Sequence, residues 1–297
     1  MELKIAERKS MVIVRIWEGL GNQMFQYAFA RALQAKGIEV SLDLDKAYDE
    51  MFVKYKDNAV RENSIQNFNI SIPSIDVCKY KKYEYIYQDT ILRKMHFFLG
   101  KHSLWKYRFY EEKKQGYSGK SARIKGNCYV KGWFQSERYF NSIRGILLKE
   151  FVPKEKITIP SELHSILKGS ESVSIHVRRG DYVKANRAMN AAYYKKAIRL
   201  IKKSYKDPYF IVFSDDLAWT KENLILNERC IYVNENKALN DYEELFIMSR
   251  CKSNIISNST FSWWAAWLNQ NKEKNVIAPR SWLEGQKNIV PNGWIVL

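Results

Sequence analysis

The 297-residue chain is 46% apolar and 27% charged, which supplies a sizeable core and excludes a disordered polar chain. Its formal charge of +17 favours anionic partners, which leaves nucleic acid, a membrane surface and phosphorylated substrates to be separated by other features. Met1 to Ser10 lack the apolar core of a secretion signal, and no run approaches the roughly 20 apolar residues that span a bilayer, so a cytoplasmic protein is expected.

Met11 to Ile16 is a β-branched apolar run and predicts a buried strand. Trp17 to Asn22 follows as a turn with Gly19 and Gly21. A helix comes next, with Phe25, Ala28, Phe29, Ala32 and Leu33 on one face and Gly37 as its stop. Ile38 to Leu44 predicts a second strand, completing a βαβ unit and implying a parallel sheet. Residues 45–125 hold helical stretches rich in Lys and Tyr. Within 76–125, thirteen Lys and Arg stand against five Asp and Glu, among Tyr80, Tyr83, Tyr85, Tyr87, Phe97, Phe98, Trp105 and Tyr110. That mixture suits single-stranded nucleic acid, a helix resting on anionic lipid, or a solvated basic face over an aromatic core. Cys128 to Trp133 predicts a strand and Ser136 to Glu150 a helix. Val152 to Pro160, with two prolines, predicts a linker.

From Ser172 the alternation is regular. Strands are predicted at Val173–Val177, Tyr209–Phe213, Ile231–Val233, Asn254–Ile256 and Val276–Ala278. Helices are predicted at Asn190–Ser204, Leu217–Leu226, Asp241–Ser249 and Thr260–Leu268. Five strands alternating with helices indicate a doubly wound domain. The expected architecture is α/β: two Rossmann-like domains, residues 1–155 and 156–297, facing across a cleft, with the C-terminal stretch able to return to the first domain.

Cys78, Cys128, Cys230 and Cys251 form no C-x-x-C pair and are expected as reduced thiols. His96, His102, His164 and His176 show no metal-ligand spacing, and zinc is not expected. Asp43-Leu44-Asp45 has the D-x-D spacing of a shared cation. The ordinary reading is a strand end with solvated acids, and no metal is expected there.

Open α/β sheets bind ligands beyond the carboxyl ends of their strands. Those ends here carry Gly19, Gly21, Asn22 and Gln23; Arg178, Arg179, Gly180 and Asp181; Ser214, Asp215 and Asp216; and Ser257, Asn258, Ser259 and Thr260. Together they fit a nucleotide: cations for phosphate, carboxylates for ribose or a base edge, and a helix start for an anion. Each also has an ordinary reading. Arg178 and Arg179 can pair with Asp181 at the surface, and Asp216 or Ser259 can cap a helix. The glycine turn has neither the Lys of a P-loop nor the G-x-G-x-x-G spacing.

Four stretches make the chain recognisable: Gly19-Leu20-Gly21-Asn22-Gln23-Met24-Phe25-Gln26-Tyr27; Ile175-His176-Val177-Arg178-Arg179-Gly180-Asp181-Tyr182; Phe213-Ser214-Asp215-Asp216 with Trp219; and Ser257 through Leu268. In their order and spacing the chain resembles glycosyltransferase family 11, the α-1,2-fucosyltransferases. The resemblance implies a GT-B fold, with an acceptor-side first domain and a donor-binding second domain. It implies a GDP-β-L-fucose donor and inverting transfer to the 2-hydroxyl of a galactose, without cofactor or metal. The acceptor is expected to be a galactose-terminated oligosaccharide or lipid-linked glycan, with peripheral contact at the inner face of the membrane. Arg178 would hold the donor diphosphate, with His176 and Asp181 beside it. Ser214, Asp215 and Asp216 would lie by the guanosine, and Ser259, Thr260 and Phe261 by the phosphates or fucose. Gly21 and Asn22 would sit near the transferred sugar, and Arg178, Asp181 and Asn22 would serve catalysis. Glu18 stands where most relatives have glycine. Asp181, Glu18 and His176 are the candidates for a base. The rivals are a nucleic-acid-binding protein, suggested by charge alone, and a transferase of the same fold with another donor or fucose linkage.

Overall fold

The N-terminal apolar run forms β1 (Met11–Arg15), a buried strand, as its β-branched residues favour. The computed structural model describes residues 10–45, 62–76, 90–100, 108–169, 171–224, 226, 229–233, 235, 239–282 and 289–297. Cys78, Tyr80, Tyr83, Tyr85, Tyr87, His102 and Trp105 lie outside the described residues. Contacts divide the chain into two units: Met1–Asn63 with Ile70–Leu147, and Ser64–Asn69 with Leu148–Leu297.

In the first unit, β1 leads into α1 (Leu20–Ala35), β2 (Glu39–Asp43), α2 (Thr90–Gly100), β3 (Arg108–Glu111) and β4 (Cys128–Lys131). The four strands pair in parallel in the order β2-β1-β4-β3. Gly21 and Asn22, read from sequence as a turn, instead form the first turn of α1. At its other end Gly37 N–H donates to Gln34 O at 2.9 Å and Ile38 N–H to Leu33 O at 3.3 Å, the paired bonds of a Schellman stop. Asp43 is fully buried; Tyr129 Oη donates to its Oδ2 at 2.6 Å and Arg15 lies beside it. That makes Asp43 a structural counter-ion inside the sheet rather than a solvated acid.

Ser136 to Glu150 is not one helix. It forms two 3-10 turns, Glu137–Tyr139 and Asn141–Ile143, before α3 (Arg144–Glu150) begins. Phe140 sits between the turns at φ −135°, outside helical space. Its buried ring packs on Phe25, centroids 5.9 Å apart. Burying that aromatic outweighs the local helical preference.

The second unit continues with α4 (Ser161–Gly169), β5 (Glu171–Val177), α5 (Gly180–Lys184), α6 (Ala191–Ser204), β6 (Pro208–Ser214), α7 (Leu217–Asn223) and β7 (Cys230–Tyr232). It ends with α8 (Asp241–Ser249), β8 (Ser253–Ile255), α9 (Thr260–Leu268), β9 (Val276–Ala278) and β10 (Ile295–Val296). All six strands run parallel in the order β10-β9-β8-β5-β6-β7. The C-terminal stretch thus adds a strand to this sheet. Tyr194, Ala197, Ile198 and Ile201 of α6 pack on Val173, Ile175, Phe210, Val212, Ile255 and Ile277. Each Val, Ile and Phe among them contributes roughly 1.5–3 kcal/mol through burial.

Val152 to Pro160 is not a free linker at its start. Phe68 bridges Pro153, Asn69 N–H donates to Val152 O at 3.1 Å, and Lys154 N–H to Asn67 O at 2.8 Å. Ser64–Asn69 therefore belongs to the second unit by contact, although it sits among first-unit residues in sequence. Cys128 and Cys251 are buried free thiols, and burial pushes Cys128 up to about 11. Among the described residues no helix is long and apolar enough to cross a membrane.

Candidate active site

The polar residues of the second unit gather at three neighbouring strand ends. β5 lies between β6 and β8, so Arg178, Asp215 and Ser257 follow adjacent strands. Arg178 is the hub. Its Nη2 donates to Asp181 Oδ1 at 2.5 Å, and its Nη1 pairs with Asp215 Oδ2 at 3.0 Å. Its guanidinium lies 5.5 Å from the Tyr182 ring centroid. Asp215 Oδ1 also accepts the backbone N–H of Arg179 at 2.7 Å, so one carboxylate fixes both the side chain and the turn. Gly180 permits this approach: a Cβ there would stand 2.9 Å from Asp215 Oδ2.

Arg179 turns elsewhere. Its Nε pairs with Asp216 Oδ2 at 3.0 Å, and its guanidinium stacks 3.8 Å from the Trp219 centroid. Asp216 Oδ1 accepts Trp219 N–H at 3.1 Å and caps α7. Ser214 Oγ accepts Asp216 N–H at 3.0 Å. Ser214, Asp216 and Arg179 therefore build the loop, while Arg178 and Asp215 carry the charge on it. The two arginines diverge as consecutive residues leaving a strand should.

His176 Nδ1 lies 3.0 Å from Ser257 Oγ, and its ring is 5.5 Å from the Phe261 centroid. Burial, with Arg178 nearby, pulls its pKa down to about 3. It is a neutral imidazole at any working pH, which fits it for hydrogen bonding and makes it a weak proton acceptor. Ser259 caps α9 by accepting Phe261 N–H at 3.3 Å, and Thr260 opens that helix. Asn258 Nδ2 donates to Arg187 O at 2.9 Å, holding the loop between β8 and α9.

In the first unit, the end of β1 makes its own polar cluster. Glu18 takes φ +66°, a conformation that suits glycine. Its Oε2 accepts Asn22 Nδ2 at 2.6 Å and Trp133 Nε1 at 3.0 Å. Asn22 Oδ1 accepts Gln135 Nε2 at 2.7 Å, and Gln23 Nε2 donates to Glu18 O at 2.7 Å. Gly21 is buried at the base of this turn. Trp133 and Gln135 carry no motif in the sequence, where Trp133 reads as the last residue of a strand, and no signal there singles them out; the strand ends at Lys131. Among the described residues no group of three or more His, Cys, Asp or Glu is placed to hold a metal ion.

Two units, each built on a parallel α/β sheet with polar strand ends, define the GT-B fold. A mutant of Arabidopsis thaliana FUT1 in complex with GDP shares that fold, at TM-score 0.53 and 10% identity over 91% of this chain and 70% of that one. The profile of Glycosyl transferase family 11 matches residues 2–296, and the chain belongs to that family. It is 33% identical to the O-antigen biosynthesis glycosyltransferase WbnK of Escherichia coli, over 94% of this chain and 98% of the relative. It is equally 33% identical to an alpha-1,2-colitosyltransferase of Escherichia coli, over 96% and 98%. The Bos taurus galactoside 2-alpha-L-fucosyltransferase SEC1 is 25% identical over 53% of this chain and 45% of its own length.

Proposed function

We propose that the chain transfers L-fucose from GDP-β-L-fucose to the 2-hydroxyl of a galactose-terminated oligosaccharide or lipid-linked glycan, with inversion and without a metal. The observation that carries this reading is the Arg178 hub in a chain of this family. A departing nucleoside diphosphate gathers negative charge on the phosphate beside the sugar. A guanidinium held rigid there stabilises the transition state more than the bound donor. Asp181 and Asp215 hold that guanidinium in place. Neutral His176 and the N–H groups at the start of α9, with Ser259, Thr260 and Phe261, complete the phosphate and fucose contacts. Ser214 and Asp216 shape the loop assigned to the guanosine. Gly21 and Asn22 at the end of β1 serve the acceptor hydroxyl. Nucleic acid has no part in this reading; the exposed Ile91, Met95 and Phe98 of α2 within a basic stretch suit peripheral contact with anionic lipid.

One relative favours a second donor. Colitose is fucose without its 3-hydroxyl, and the colitosyltransferase is among the most similar relatives. A site that hydrogen-bonds the 3-hydroxyl rejects the deoxy sugar by as much as roughly 10⁴-fold, whereas a site that ignores it discriminates little. The test is the ratio of kcat/KM for GDP-fucose and GDP-colitose on a panel of β-galactosides, with and without chelator. A ratio above one and no effect of chelator are expected. Transfer from GDP-colitose alone, or strict dependence on added divalent metal, would reject the donor or the metal-free assignment.

A further inference from the structure

The first unit holds a buried acid that the transfer as described leaves unused. Glu112 continues β3 through its N–H to Lys131 O at 2.9 Å and is 3% exposed. Its Oε2 accepts the backbone N–H of Trp133 at 2.7 Å and of Phe134 at 2.9 Å. Its Oε1 is buried with no hydrogen-bond partner among the described residues. Removing a carboxylate from water costs several kcal/mol, which only part of its hydrogen-bonding capacity offsets here.

The backbone is shaped around this acid. Phe134 takes φ +51°, the left-handed region that non-glycine residues avoid. Its ring stacks on Phe29 with centroids 3.9 Å apart and planes at 8°. At Gly132 a Cβ would come within 2.7 Å of both Glu112 Cβ and Phe134 Cζ. This turn delivers Trp133 to Glu18 and Gln135 to Asn22. With Asn22 Nδ2 on Glu18, the Asn22 amide is held at both ends.

We propose that Glu112 is a positioning residue for transfer: by clamping the N–H groups of Trp133 and Phe134 it aims Trp133 and Gln135, which fix the Glu18–Asn22 pair at the end of β1. The proposal rests on the reading that this pair serves the acceptor. The clamp is tightest with an ionised carboxylate, because charge-assisted hydrogen bonds are stronger than neutral ones. Burial pushes the Glu112 carboxyl up to about 7, against the two N–H groups that favour its charge. Tyr139 is one titratable side chain that feels its charge, itself raised to about 12 chiefly by burial and so a neutral phenol throughout the working range. Protonation near neutrality therefore loosens the turn.

Glu112→Gln tests this in the full chain, since it keeps the shape and removes the charge. The backbone amide resonances of Trp133 and Phe134 are followed from acid to alkaline pH, with kcat and KM for a galactoside and the affinity for GDP. In the unaltered protein both amides are expected to titrate together near pH 7, with kcat rising over the same range. In Glu112→Gln both pH dependences vanish and kcat at alkaline pH falls between roughly 10- and 100-fold, the cost of a small misplacement, while GDP affinity stays within about twofold. Trp133→Phe, which removes the indole donor and leaves Glu112 alone, is expected to lose kcat as well if Glu112→Gln does not fold. Unchanged kcat and pH profile in the variant, or amides that do not titrate, would overturn the proposal. If the unaltered chain makes no product from GDP-fucose, the donor reading fails by itself. The amide titration, and displaced Asn22 and Gln135 side-chain amide resonances in Glu112→Gln, still decide the positioning role.

Discussion

Arg178 and Arg179 are adjacent, yet among the described residues their guanidinium groups pair with different carboxylates and different rings. Arg178 pairs with Asp181 and Asp215 and retains further donors of its five, while Arg179 is committed to Asp216 and Trp219. Arg178→Lys keeps a charge but loses the two-pronged geometry. It is expected to lower kcat by roughly 10²–10³-fold with little change in melting temperature. Arg179→Lys is expected to lower melting temperature more than kcat. Steady-state kinetics beside thermal unfolding separates the two outcomes, and near-normal turnover in a folded Arg178→Lys would remove the phosphate assignment. His176 and Glu112 give stability opposite pH signatures. The folded pKa of His176 is depressed from 6.5 to about 3, so its contribution is present above 6.5 and lost as pH falls toward 3. Glu112 is raised from 4.5 to about 7, so its contribution is present below 4.5 and lost as pH rises toward 7. Thermal melts across that range should therefore show Glu112→Gln removing the loss between pH 4.5 and 7 and leaving the acid limb intact. An unchanged melting profile would contradict the burial assigned to Glu112.

Among the elements, β8 depends on one buried amide. Asn254 Nδ2 donates to Ser174 Oγ at 2.7 Å and Met248 O at 2.9 Å, and its Oδ1 accepts Asn269 Nδ2 at 2.8 Å. Asn254→Ala strands those partners away from water and is expected to destabilise by roughly 2–4 kcal/mol, measured by denaturant unfolding. A loss below about 0.5 kcal/mol, the range of ordinary surface changes, would mean that the network does not anchor the strand. In the second unit β5, β6, β8 and β9 were legible in the sequence because they are largely buried on both faces, and α6 because it shows its apolar stripe at helical spacing, whereas β10, two exposed residues, was not. β3 was not: Arg108 and Glu111 are exposed ends of a short edge strand whose middle is only half-buried, within a basic stretch. Glu112 was equally hidden. In Glu111-Glu112-Lys113-Lys114 it looks like solvated charge, and only tertiary packing against Gly132 and Phe134 distinguishes it. Asp215 was legible as a strand-end carboxylate, but its contact with the Arg179 backbone depends on the close pairing of β5 and β6.

At the scale of the whole molecule, the order of the polar strand ends was readable from sequence and carried the family. The division of the chain was less so. Ser64–Asn69 joins the second unit through Phe68, whose ring meets Phe151 at 5.9 Å and Tyr242 at 6.3 Å, contacts far apart in sequence that no local pattern encodes. The charge of +17 is a property of the surface as a whole and does not identify the substrate. A transferase for a nucleoside-diphosphate sugar is expected to tolerate salt far better than a nonspecific nucleic-acid binder, whose affinity falls steeply between roughly 50 and 200 mM salt. The most direct test is nuclear magnetic resonance of the product formed from GDP-β-L-fucose and a terminal β-galactoside. An α-anomeric fucose on the galactose 2-hydroxyl is the expected result; a β-fucoside, a linkage to another hydroxyl, or release of free fucose without transfer would contradict it.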